Sequence, residues 1–137
     1  MKKIILFIFI SLNFSCFEKQ VIDISLLNGY WEIQSVKQDN KLLKTYPFSG
    51  IIDYFEIKNE KGLRKKVMPK IDGKFEVSLH KIDFNISQKN GKTTLEYIDK
   101  NNTFIETIVK LDSTELFITN KENYIYHYKA YEKLNFD

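Results

Sequence analysis

The side chains able to do chemistry are few: one cysteine, Cys16, two histidines, His80 and His127, and one arginine, Arg64, among 137 residues. Cys16 has the most specific setting. Lys2 and Lys3 precede an unbroken apolar run, Ile4 to Ile10, and Asn13-Phe14-Ser15 closes it with a small residue before the thiol. A positive start, an apolar stretch and a small residue before cysteine make an export signal ending in a lipid-attachment box. The implied chemistry is cleavage after Ser15 followed by acylation of the Cys16 thiol and its new amino group. The apolar run is about half of the roughly 20 residues a membrane span needs. A lone thiol in an exported chain also lacks a disulfide partner to explain it. A plain cleaved signal with an incidental cysteine is the competing reading, because Asn13 occupies the place where leucine is usual.

The other reactive residues do not form a constellation. A metal site needs several convergent ligands, and His80, His127 and an acylated cysteine are too few. No G-x-S-x-G elbow and no phosphate-cradling loop is present. The expectation is therefore no catalytic residue, no metal and no cofactor. Losing residues 1–15 removes Lys2 and Lys3, so 21 basic against 18 acidic residues become 19 against 18. A near-neutral chain gives no support to a nucleic-acid partner, which would want a concentrated basic face.

Arg64-Lys65-Lys66 is the densest basic cluster on a strand, where Arg64 and Lys66 must point one way and Lys65 the other. Two readings follow. One puts a cation in an interior, ready for a carboxylate or phosphate head group. The other leaves an outer-face pair with cross-strand partners such as Glu56 and Glu76, in keeping with the exposure usual for charge.

The elements that position these residues are strands. Residues 16–27 read as a tether that docks on a single domain, 28–137. Asn28-Gly29 opens a strand with Trp31, Ile33 and Ser35 on one face. Leu42 to Ile52 is read as irregular, around the turn Tyr46-Pro47-Phe48-Ser49-Gly50. Strands follow over Asp53 to Lys58, Leu63 to Pro69, Lys74 to Leu79, Ile82 to Ser87, Thr93 to Ile98, Thr103 to Leu111, Glu115 to Thr119 and Tyr124 to Tyr131. Asn90-Gly91 is a type I′ hairpin signal. On the run Thr103 to Leu111, Thr103, Ile105, Thr107, Val109 and Leu111 form the expected core face. Asp112-Ser113-Thr114 is a turn that also resembles an O-glycosylation site of some bacterial periplasmic proteins. Eight or nine antiparallel strands with no long helix predict an all-β, up-and-down barrel. A two-sheet sandwich is the alternative.

Gly29-Tyr30-Trp31 resembles the G-x-W signature of lipocalins. The runs Gly62 to Pro69, Asp72-Gly73-Lys74-Phe75 and Tyr124 to Lys129 resemble small lipocalin-like lipoproteins of Gram-negative bacteria. The resemblance implies a closed barrel with Trp31 plugging one end, Leu42 to Ile52 lying as a lid over the other, and no catalysis. It also implies a basic partner for Trp31, a role left to Lys129 or Lys133. An eight-stranded barrel either fills its interior or holds one small ligand. The expected function is a lipid-anchored binder of a small hydrophobic molecule, with Arg64, Lys66, Tyr46 and Phe48 at its site. A filled barrel that docks protein or polysaccharide is the alternative. Phe17, not Asp, follows Cys16, so outer-membrane residence in a Gram-negative envelope is expected, as a monomer.

Overall fold

The computed structural model describes residues 21–132, so the signal, Cys16 and Lys133 lie outside the described residues. Nine strands follow a short 3-10 turn at Ile24–Leu27: β1 Gly29–Gln38, β2 Lys41–Thr45, β3 Ile52–Lys58, β4 Lys61–Pro69, β5 Phe75–Lys89, β6 Lys92–Asp99, β7 Asn102–Leu111, β8 Glu115–Asn120 and β9 Tyr124–Ala130. Each strand pairs antiparallel with its neighbour, and β1 also pairs with β9, from Trp31↔Ala130 to Gln38↔Tyr124. That last ladder closes the sheet into a barrel and rules out the sandwich. β2 and β3 occupy one strand position, because both lie on the same edge of β1, β2 beside Ser35–Gln38 and β3 beside Gly29–Glu32. Nine strands thus make an eight-position barrel, the width at which side chains can fill the interior.

Several local expectations are corrected. Lys41–Thr45 is a strand, not part of an irregular stretch, because Asp39 and Asn40 both take positive φ, 48° and 63°, and so turn β1 back on itself. Only Tyr46–Ile51 is irregular, and it interrupts the β2–β3 wall. Lys74 to Leu79 and Ile82 to Ser87 form one continuous strand, β5, bent by a register irregularity opposite Lys65 and Val67 where a turn was expected. On β7 the inward set is Phe104, Glu106 and Ile108; Ile105 and Val109 are more than half exposed. A second irregularity, between Ile108 and Lys110, lets Leu111 still pack on the core. Asn90-Gly91 turns as expected, with φ of 54° and 70°.

The core sits at the pole where β1 begins. Leu27, Trp31, Phe55, Phe84, Leu95, Leu116 and Ile118 are buried there, and Trp31 Nε1 donates to the Leu27 carbonyl at 2.9 Å. The Ile24–Leu27 turn therefore caps this pole, and Asp23 caps the turn by accepting from Ser25 N at 3.0 Å. On β1 the expected Trp31, Ile33, Ser35 face holds only to Ile33. An irregularity before Ser35 passes the inward place to Val36.

At the opposite, open pole the wall divides. β5 pairs with β6 only from Asp83↔Ile98, so the preceding part of the β4–β5 hairpin extends as an arm. Phe75 on the arm stacks on Tyr30 at 4.5 Å between centroids and meets Tyr131 edge-on at 6.0 Å. Register places Ile52 and Val67 on the same outer face as Tyr30 and Tyr54, and both are buried outside the inner cluster. A small outer core thus fastens the arm against β1 and β3.

Candidate functional site

Alternation along β3 and β4 points Asp53, Phe55, Arg64 and Lys66 inward, since Asp53 pairs with Lys66 and Phe55 with Arg64. Arg64 and Lys66 thus take the inward face, and the outer-face pairing with Glu56 and Glu76 is not formed. Glu56 stands opposite Leu63, and Glu76 pairs with Lys70 at 3.7 Å. Arg64 is 14% exposed and reaches across the barrel: Nη2 donates to Asp53 Oδ2 at 3.0 Å and Tyr128 Oη at 2.8 Å. Nη1 donates to Tyr97 Oη and Glu106 Oε2, each at 3.3 Å. The guanidinium also lies 5.1 Å from the Phe55 ring centroid, a cation–π contact.

Two cations and two carboxylates make this group neutral overall. Burial alone would raise the Asp53 carboxyl, but Arg64 and Lys66 outweigh it and hold the group below the usual carboxylate range. Burial pushes the Tyr97 and Tyr128 hydroxyls up, against the opposing pull of Arg64. Arg64 is held charged, burial being outweighed by Tyr128, Asp53, Tyr97 and Glu106. Asp53 Oδ1 is buried without a well-formed hydrogen bond, and its ion-pair partner is Lys66 Nζ. Lys66 itself is 56% exposed and looks outward from the network.

It looks into a cavity of about 560 Å³ at the open pole. Ile33, Ile51, Met68 and Val77 give the cavity its apolar lining, Tyr46 and Ser49 come from the Tyr46–Ile51 loop, and Glu76 joins Lys66 as the second charge. The cavity lies where β2 and the β4–β5 arm part. A second hollow, about 580 Å³, lies on the β7–β9 side and is lined by Phe104, Glu106, Glu122 and Tyr126 among others. Between the two runs the Asp53–Arg64–Glu106 bridge.

Of the predicted site residues, Tyr46 and Lys66 line one cavity and Arg64 lies behind it in the network. Phe48 is 78% exposed and stands outside the lining. Gly29, at φ 123°, opens β1, and Trp31 is buried at the capped pole. Lys129 is paired with Glu32 on the outer face, so it does not reach Trp31. His127 stacks on Phe117 at 4.2 Å and contacts Glu115 at 3.2 Å; His80 lies 3.9 Å from Asp99. Among the described residues no three metal-ligating side chains converge. Thr114 Oγ1 donates to Asp112 Oδ1 at 2.9 Å within its turn. Sequence reasoning missed Asp53, Glu106, Tyr97 and Tyr128. The usable signal was Arg64 itself, since a lone inward arginine requires inward carboxylates.

No protein-family model matches the chain, and no curated protein sequence does. Among solved structures, it is similar to a lipocalin-like protein from Bacteroides uniformis ATCC 8492, at 11% identity over 77% of this chain and 99% of that one, TM-score 0.49. An uncharacterized protein from Bacteroides eggerthii DSM 20697 gives 12%, 77%, 99% and 0.47. Apocrustacyanin C1 gives 8%, 86%, 68% and 0.48. The likeness is one of fold alone. Independently of it, eight strand positions closed by the β1–β9 pairing make an up-and-down antiparallel barrel.

Proposed function

We propose that this chain is a non-catalytic envelope lipoprotein, anchored through Cys16 in the outer membrane of a Gram-negative bacterium, that holds a small hydrophobic molecule in the open-pole cavity. The observation that carries the binding half is the 560 Å³ hollow, apolar on most of its lining and bearing the Lys66 ammonium. Its volume and composition fit a ligand site. Lys66, not Arg64, is the group available to a ligand's polar end, because Arg64 already donates to four acceptors inside the barrel. The anchor half rests on the Lys2 to Cys16 sequence.

A fluorescent fatty acid such as dansyl-undecanoic acid should bind to the protein, and Ile33→Trp, which fills the hollow, should weaken it at least tenfold. Lys66→Met should weaken the acid but leave the corresponding alcohol within about threefold. No binding by wild type, or binding untouched by Ile33→Trp, would overturn the cavity reading. The second reading, a solid barrel that docks another envelope component, is favoured by the filled centre around Phe55, Phe84 and Tyr97; a wild type that binds no probe would support it.

A further inference from the structure

The second hollow, about 580 Å³ on the β7–β9 side, has no part in the binding reading above. Register places its walls. Phe104 stands opposite Tyr97, Glu106 opposite Asn120 and Tyr126 opposite Ile118, and Tyr97 and Ile118 are buried in the barrel. Phe104, Glu106, Asn120 and Tyr126 therefore share the inner face of three adjacent strands, with Lys121 and Glu122 of the β8–β9 turn at the rim.

The chemistry of this hollow is the reverse of the Lys66 cavity's. Glu106 is 9% exposed, and its one ion-pair partner among the described residues is Arg64 at 3.3 Å, a guanidinium that sits closer to Asp53, at 3.0 Å. A carboxylate offers about four acceptor sites. Arg64 and the Tyr97 hydroxyl donate to Glu106, which leaves capacity for a further donor. Glu122 brings a second carboxylate; its contact with Lys121 is 3.9 Å between side chains 53% and 87% exposed, a pair that neutralises little. Burial, Glu106, Tyr124 and Glu122 all raise the Tyr126 hydroxyl against the pull of Arg64, so the field in the hollow is negative.

Two rings add to that field. Phe104 stacks one face on Tyr97, 4.7 Å between centroids, and is 41% exposed on the remainder. Tyr126 is half-buried in the wall across β8. Ring faces beside a buried carboxylate attract an ammonium group, whereas an anion would be repelled.

We propose that this hollow is a second ligand site, for a small organic cation, with the ammonium group against Glu106 and its apolar body between Phe104 and Tyr126. The site is independent of the Lys66 cavity, whose charge favours the opposite head group.

The barrel closes within the described residues, so the chain from residue 16 carrying Cys16→Ser serves for the test. Amide NMR would follow titration with 3-phenylpropylamine and with 3-phenylpropan-1-ol, alike in size and different in charge. The amine should shift residues 103–106 and 120–126, and bind there roughly tenfold tighter than the alcohol, the usual worth of a charge-assisted hydrogen bond. Glu106→Gln should bring the two probes within about threefold of each other. Tyr126→Leu, which makes no hydrogen bond to Arg64 to lose, should weaken the amine about threefold more than the alcohol, and decides the matter if Glu106→Gln does not fold. Thermal melts within a few degrees of wild type confirm folding. Equal binding of the two probes by wild type, or a preference for the amine that survives either substitution in full, would overturn the proposal. So would amine shifts centred on Ile33, Lys66 and Met68, which would give the amine to the first cavity.

Discussion

Four of the five N–H donors of Arg64 are engaged inside the barrel, by two carboxylates and two phenols. Replacing it by methionine would leave Glu106 a buried charge without an ion-pair partner and Asp53 held by Lys66 alone, and losing one partner of such a group costs about 3–5 kcal/mol. Urea unfolding should register that loss for Arg64→Met, with part of it recovered on adding Asp53→Asn. Because the folded Asp53 carboxyl is held below its unfolded value, its contribution is present above about pH 4 and lost as pH falls through the folded value. Melting temperature measured from pH 6 to pH 2 should therefore fall less steeply in Asp53→Asn than in wild type. That Arg64 and Lys66 share a face was legible from alternation; its inward direction was not, because the exposure usual for charge favours an outer-face pair. Glu106 was not, because Thr103, Ile105, Thr107, Val109 and Leu111 are the more apolar alternate of β7, and tertiary pairing with Arg64 reversed that preference.

Among the elements, the β4–β5 arm depends most on a few contacts. Its hold on the barrel runs through Phe75 on Tyr30 and Tyr131, above the buried Ile52 and Val67. Phe75→Ala should cost about 1–2 kcal/mol, below the 3–5 typical of fully buried rings, since Phe75 is only partly buried. The loss should be local: amide exchange should quicken in β4 and β5 between Val67 and Val77 and stay slow in β6, β7 and β8. Strand positions were largely readable from period-two alternation and from turn residues such as Asn90-Gly91. The β2 strand was hidden because Leu42 and Leu43 sit side by side and break the alternation, and Asp39-Asn40 is a weaker turn signal than Asn-Gly. The break expected at His80-Lys81 failed because a bend in a long hairpin carries the same polar residues as a turn.

At the scale of the whole molecule, the two poles are built differently: one is capped by the Ile24–Leu27 turn over Trp31, the other is open. Val21 enters at the capped pole beside Gly91 and the end of β7, while the hollow beside Lys66 lies on the β2–β3 side, four strand positions away. Metabolic labelling with palmitate should mark the wild-type protein and vanish in Cys16→Ala; label that survives the substitution would refute the anchor. The barrel architecture was legible as a march of strands, but its closure was not, because nothing in β1 or β9 alone announces a partner about a hundred residues away. That pairing also has a bearing on biogenesis. The other ladders join strands that are consecutive or one apart, whereas Trp31↔Ala130 can form only after nearly the whole chain is available. A chain crossing a membrane amino-terminus first would remain an open, threadable ribbon until its last strand emerged, and would lock into shape only on the far side.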